Sequence, residues 1–179
     1  MKRDKPIIFA LSGLPASGKS TLSKVVAKKY NAIYLRVDTI EQGLKDLFNI
    51  TVQAEGYNLA FKIAIDNLKL GLNIIADSCN PIDITRKEWE KIAQSNNSDI
   101  INIEVICSDK KEHKKRSELR LSEIENLKSP SWEDIISREY HKWEQEIIVI
   151  DTAHKTVEES ECELIQKIEN ILNKQTTNR

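Results

Sequence analysis

Apolar residues fall into five short runs separated by stretches with helical spacing. The runs at 6–11, 32–37, 72–77, 100–107 and 147–150 are rich in Ile, Val and Leu and read as buried strands. Between them the spacing predicts helices over 21–30, 39–48 and 54–70, and a fourth that starts at Asn80-Pro81 and turns Trp89 and Ile92 to the core. Gly71 is placed to end the third helix, and Asp38 or Thr39 to cap the second. Ile40, Leu44 and Leu47 mark the apolar face of the second helix, and Leu59, Ile63 and Leu68 that of the third. After the fourth run, a segment at about 108–130 carries Lys110, Lys111, Lys114, Lys115, Arg116 and Arg120. Pro130 breaks it, and Ser131-Trp132-Glu133-Asp134 resembles a capping box for a helix that carries Tyr140 and Trp143. A second capping box from Thr156 to Glu159 opens the last helix, and 175–179 reads as a frayed tail.

Strands alternating with helices predict an α/β protein with a parallel sheet covered on both faces. No repeat, linker or low-complexity stretch divides the 179 residues, so they are expected to form one domain with the charged segment as an insertion.

The turn between the first strand and first helix is Gly13-Leu14-Pro15-Ala16-Ser17-Gly18-Lys19-Ser20, a full match to the P-loop pattern GxxxxGK[ST] in the strand-loop-helix context that pattern requires. Gly13 and Gly18 allow backbone conformations in which successive N–H groups turn inward around a polyphosphate. The helix from Thr21 onward adds its free N–H groups and the positive end of its dipole. Lys19 is expected to reach the outer phosphates and the Ser20 hydroxyl to ligate Mg²⁺.

Charge narrows the partners only a little. Lys plus Arg number 27 and Asp plus Glu 28, a formal net charge of -1 that demands neither nucleic acid nor an anionic membrane. Cys79, Cys107 and Cys162 form no CxxC pair, which suits free thiols in a reducing compartment. Lys2, Arg3 and Lys5 precede an apolar run too short for a signal peptide, and no run is long enough to span a membrane, so a cytoplasmic protein is expected.

Two strands end on aspartates, Asp38 and Asp77, at the sheet edge where α/β proteins bind ligands. Asp38 is a candidate to orient an attacking hydroxyl or accept its proton, and otherwise a helix cap. Asp77 is the candidate carboxylate to hold Mg²⁺ through water or to touch substrate, and otherwise a cap or turn residue ahead of Asn80. Ser78 follows it where many ATPases carry a glutamate to activate water, which favours transfer to another acceptor. No NKxD-like sequence for guanine is present, which favours ATP. Arg116 and Arg120 lie four apart, on one face of any helix there, and could stabilise the transferring phosphoryl group; Glu112 with Arg116 is alternatively a surface pair. Arg86 reads as a substrate contact or surface ion pair, and His113 and His141 as surface residues. Cys79 reads as a site-lining or small buried thiol, and Asp151-Thr152-Ala153 as backbone beside the adenine.

With Gly13 to Ser20, the strand ends Val37-Asp38-Thr39-Ile40 and Ile74-Ile75-Ala76-Asp77, and the arginines at 116 and 120, the chain resembles the small P-loop kinases. The group contains polynucleotide 5'-hydroxyl kinases, gluconate kinases, chloramphenicol phosphotransferases and bacterial proteins labelled AAA-family ATPases or predicted kinases. The resemblance implies a three-layer P-loop NTPase fold, a five-stranded parallel sheet of order 2-3-1-4-5, a helical lid, and transfer of the ATP γ-phosphoryl group to a hydroxyl of a small molecule. In that reading Lys19, Asp38, Arg116 and Arg120 are catalytic, Gly13 to Thr21 bind nucleotide, and Ser20 and Asp77 hold Mg²⁺. Polynucleotide kinases tend to carry arginine three residues after the aspartate, where Glu41 stands here, so a nucleic-acid acceptor is the second reading. A third is an ATP-binding switch with slow hydrolysis. Neither the acceptor nor the oligomeric state is fixed by the sequence.

Overall fold

The computed structural model of the chain describes residues 5–177. Lys2 and Arg3 of the expected basic start, and Asn178 and Arg179 of the expected tail, lie outside them. Five strands, β1 (Ile7–Ser12), β2 (Ile33–Arg36), β3 (Ile74–Asp77), β4 (Asp99–Ile106) and β5 (Ile148–Asp151), form one parallel sheet in the order β2-β3-β1-β4-β5. Among the described residues seven helices accompany them: α1 (Lys19–Lys29), α2 (Val37–Phe48), α3 (Glu55–Lys69), α4 (Asp83–Ser95), α5 (Lys110–Leu119), α6 (Trp132–Ile136) and α7 (Val157–Thr177). No helix among the described residues is long and apolar enough to cross a membrane.

β1 is buried along its whole length because it lies in the middle of the sheet with helices on both sides, which is why it reads as an unbroken apolar run. Alternation along the strands divides the core in two. Ile7, Phe9, Leu11 and Ile75 pack with Leu22 and Val26 of α1 and Leu164 and Ile168 of α7. Ile8, Ala10, Ile74 and Ala76 pack with Ala60, Ala64 and Leu68 of α3 and with Trp89 and Ile92 of α4. Phe61 meets the Trp89 ring edge-on at 4.7 Å.

Several boundaries differ from the sequence reading. α2 begins at Val37, with Arg36 as its N-cap and no side-chain cap bond, so Asp38 is a first-turn acid rather than a cap. Its position near the positive helix end is still favourable. The small residues Gly56, Ala60 and Ala64, with Leu68, form the buried face of α3; Leu59 is exposed, as is Leu47 on α2. α4 starts at Asp83 rather than at Asn80, which adopts φ 45. The capping box at Ser131 is present, but its helix stops at Ile136, leaving Tyr140 and Trp143 in irregular chain. The Thr156–Glu159 capping box forms in both directions, and Gly71 takes φ 77 just past α3.

Candidate active site

The parallel register brings the strand ends level: Arg36 pairs with Asp77, Asp77 with Leu11, and Ser12 with Glu104. The P-loop rises from this edge. Gly13 sits at φ 136, where a Cβ would collide with the Val105 carbonyl oxygen, and its N–H donates to Cys79 O at 3.1 Å. Ala16 at φ 65 and Gly18 at φ 97 continue the reversal. The first turn of α1 has no acidic residue, leaving its N-terminus open to an anion.

Lys19 is only 7% exposed, and its ammonium makes no ion pair or hydrogen bond among the described residues. A buried cation lacking its own carboxylate calls for an anionic ligand. The buried Ser17 hydroxyl is likewise without a partner. Both features fit a polyphosphate in the loop. Lys19, Ser20 and Thr21 line a cavity of about 260 Å³ together with Ala16, Arg116 and Arg120.

The charged insertion supplies the opposite wall. Asp109 caps α5 by accepting from the N–H groups of Lys111 and Glu112 at 2.8 and 2.9 Å. Arg116 donates to Thr152 Oγ1 at 2.7 Å and Thr152 O at 2.9 Å, and pairs with Glu112. The expected Glu112 pair and the approach to the P-loop therefore coexist in one side chain. Arg120, at the end of α5, lines the cavity and makes no ion pair or hydrogen bond among the described residues. Thr152 Oγ1 also reaches Ser17 O at 2.9 Å, tying the end of β5 to the loop. A second cavity of about 210 Å³, lined by Gly18, Thr21, Thr152 and Thr156 among others, adjoins the first.

The two aspartates lie differently. Asp77 is 2% exposed, does not line the P-loop cavity, and accepts the Tyr34 hydroxyl at 2.6 Å, with Arg36 Nε 3.9 Å away. Burial, then the Asp77 charge, drives the Tyr34 phenol pKa far upward. Ser20 thus lines the cavity, whereas Asp77 does not. No cluster of three His, Cys, Asp or Glu suited to a metal occurs among the described residues. Asp38 is half-buried beside Glu41, whose carboxyl is pushed up by burial and then by the Asp38 charge. Burial also raises the Cys79 thiol, whose Sγ lies 3.2 Å from Gly13 O. Charges of Lys19 and Arg138 oppose that shift.

The AAA domain family (AAA_33) matches residues 8–138, from the first strand to just past α6. The chain belongs to the AAA domain family. No curated protein matches it by sequence. The fold of this AAA domain is that of P-loop kinases. The APS kinase CysC of Mycobacterium tuberculosis, solved with AMPPNP and APS, superposes with a TM-score of 0.68 at 16% identity, over 93% of this chain and 99% of that one. A gluconokinase of Sinorhizobium meliloti gives 0.63 at 14% identity, over 96% and 99%. Kti12 of Chaetomium thermophilum, solved with ADP-AlF3, gives 0.66 at 20% identity, over 91% and 97%.

Two sequence expectations change within this AAA domain. His113 is 6% exposed rather than a surface residue: its Nε2 meets Pro15 O at 2.8 Å and its ring stands edge-on to Trp132. Arg86 is 3% exposed rather than a surface residue, and the expected ion pair is present, with Asp83 at 3.8 Å. It donates to the carbonyls of Asn80, Pro81 and His141 and stacks on Trp143 at 4.1 Å. Arg36 and Glu123, which sequence reasoning passed over, both line the P-loop cavity. The available signal was a lone arginine at the carboxyl end of an apolar strand.

Proposed function

We propose that this protein is an ATP-dependent phosphotransferase that moves the γ-phosphoryl group to a hydroxyl of a small molecule. The observation that carries the reading is the buried, unpaired Lys19 opening on a cavity shared with Arg116 and Arg120. Two proteins of the same fold are an APS kinase and a gluconokinase. The residue after Asp77 is a buried serine, so no carboxylate follows it to activate water.

In this reading the backbone of Gly13 to Thr21 holds the phosphates and Lys19 neutralises the outermost. Arg120 and Arg116 stabilise charge on the phosphoryl group in transit. Asp38 orients the acceptor hydroxyl or takes its proton as the new O–P bond forms and the bond to the ADP oxygen breaks. Mg²⁺ at Ser20, with Asp77 behind it, would neutralise further phosphate charge. ADP release is the assay, against sugars, nucleosides, antibiotics and 5'-hydroxyl oligonucleotides. At least one class should stimulate it, and Asp38→Asn should lower the stimulated rate about 100-fold or more. A flat response over the whole panel would sink the proposal.

A further inference from the structure

Glu123 stands on the lid segment that follows α5, in a stretch without helix or strand. Its carboxylate reaches back to the sheet edge. Both oxygens accept from Lys24 Nζ, at 2.8 and 2.7 Å, and Oε2 also accepts from Arg36 at 3.0 Å. Hydrogen bonds from Lys24 and then Arg36 hold its carboxyl below the usual range.

The two cations are positioned by regular structure. Lys24 is four residues after Ser20, so both lie on one face of α1. Arg36 follows Tyr34 by two on β2 and is in register with Asp77, which puts all three on the α1 side of the sheet. The Arg36 side chain is 9% exposed, and its Nε is buried without a hydrogen-bond partner. Asp77 neutralises it only from 3.9 Å and is already engaged by Tyr34. A buried guanidinium thus has as its hydrogen-bonded counter-ion a carboxylate that is 58% exposed and carried on irregular chain. Such a pair is a weak stabilising device, because solvent screens the exposed partner while the buried one keeps its desolvation cost.

Arg36 and Glu123 also form the boundary between two cavities. One is the P-loop cavity; the other, about 580 Å³, is lined by Lys24, Thr39, Gln42, Gly43, Asp46 and Glu125 as well. Asp46, which accepts from Gln42 and Asn126, and Glu125 bring negative charge to this cavity, so its cationic groups are Lys24 and Arg36, the pair that Glu123 engages. Thr39 and Gln42 add hydrogen-bonding groups suited to hydroxyls.

We propose that Lys24 and Arg36 form an anion subsite for the acceptor, which takes the carboxylate, phosphate or sulfate group of a small hydroxylated acid. Glu123 is the resident stand-in for that group and is displaced when the acceptor enters. The assignment of the anion to an acceptor rests on the kinase reading; the subsite itself does not.

Calorimetric titration with inorganic sulfate tests it, on protein saturated with AMPPNP and Mg²⁺ so that the P-loop cannot take the anion. Glu123→Gln should bind sulfate about tenfold more tightly than the parent, because a like charge leaves the site. Lys24→Gln and Arg36→Gln should each weaken binding by about threefold or more. Lys24 is half-exposed, so Lys24→Gln keeps the test decisive if Arg36→Gln does not fold. Equal sulfate affinity in Glu123→Gln and the parent, or affinity indifferent to Lys24, would overturn the subsite. Failure of AMPPNP to bind would count against the kinase reading alone; the variants, which differ only at the subsite, are then compared without nucleotide.

Discussion

Arg86→Met isolates what a buried arginine does in this fold. Methionine keeps the unbranched stem but removes the donors to Asn80 O at 3.0 Å, His141 O at 2.9 Å and Pro81 O at 3.3 Å. Pro81 O keeps the His141 N–H at 2.8 Å, so the buried Asn80 carbonyl loses its donor, at about 1–3 kcal/mol, and the half-buried His141 carbonyl loses one at the lower end of that range. The Trp143 and Tyr140 rings, 4.1 and 5.1 Å from the guanidinium carbon, lose a cation worth about 0.5–2 kcal/mol. The methionine sulfur recovers about 0.3–1.5 kcal/mol of that against the same rings. The net loss comes to about 3 kcal/mol, a substantial part of the 5–15 kcal/mol typical of a folded domain. Urea denaturation should show this as a lower midpoint with unchanged slope, and melting should fall by about 6–12 °C. Trp143 emission should shift as its ring loses the charge. A loss below about 1 kcal/mol would refute the reasoning, since it would mean that water satisfies those carbonyls as well as the arginine does. The consequence reaches the site, because the chain that Arg86 anchors continues directly from Cys79, whose carbonyl holds Gly13 N–H.

Thr152→Val removes the hydroxyl that joins Ser17 O to Arg116; it should cost about 1–2 kcal/mol of stability and weaken AMPPNP binding about fivefold, and unchanged affinity would exclude a role for this tie. Tyr34→Phe should alter the alkaline limb of stability. Because the folded phenol pKa is raised, its contribution is intact below the unfolded value near 10 and is lost as pH rises from there toward the folded value. Above about pH 10 the parent should therefore lose stability more steeply than the phenylalanine variant, by up to about 1.4 kcal/mol per pH unit; parallel curves would contradict the Tyr34–Asp77 contact.

Local sequence sufficed where the physics is local. The apolar runs became the five strands, because a parallel strand between two helical layers must be apolar on both faces, and the P-loop glycines are demanded by backbone conformation alone. Capping boxes at Ser131 and Thr156 were legible for the same reason: donor and acceptor lie three residues apart. Burial of charged residues was not legible. Arg86 and His113 look like surface residues by type, yet each is buried because chain distant in sequence, Trp143 and His141 for one and Pro15 for the other, folds over it. Asp38 is legible as a residue just beyond a strand, but its place in the first turn of α2 depends on where β2 stops pairing with β3. Arg36, Lys24 and Glu123 lie 87 and 99 residues apart along the chain at their hydrogen bonds. Only sheet register, helix packing and the return of the lid bring a buried cation, its helical neighbour and a surface carboxylate to one point beside the P-loop.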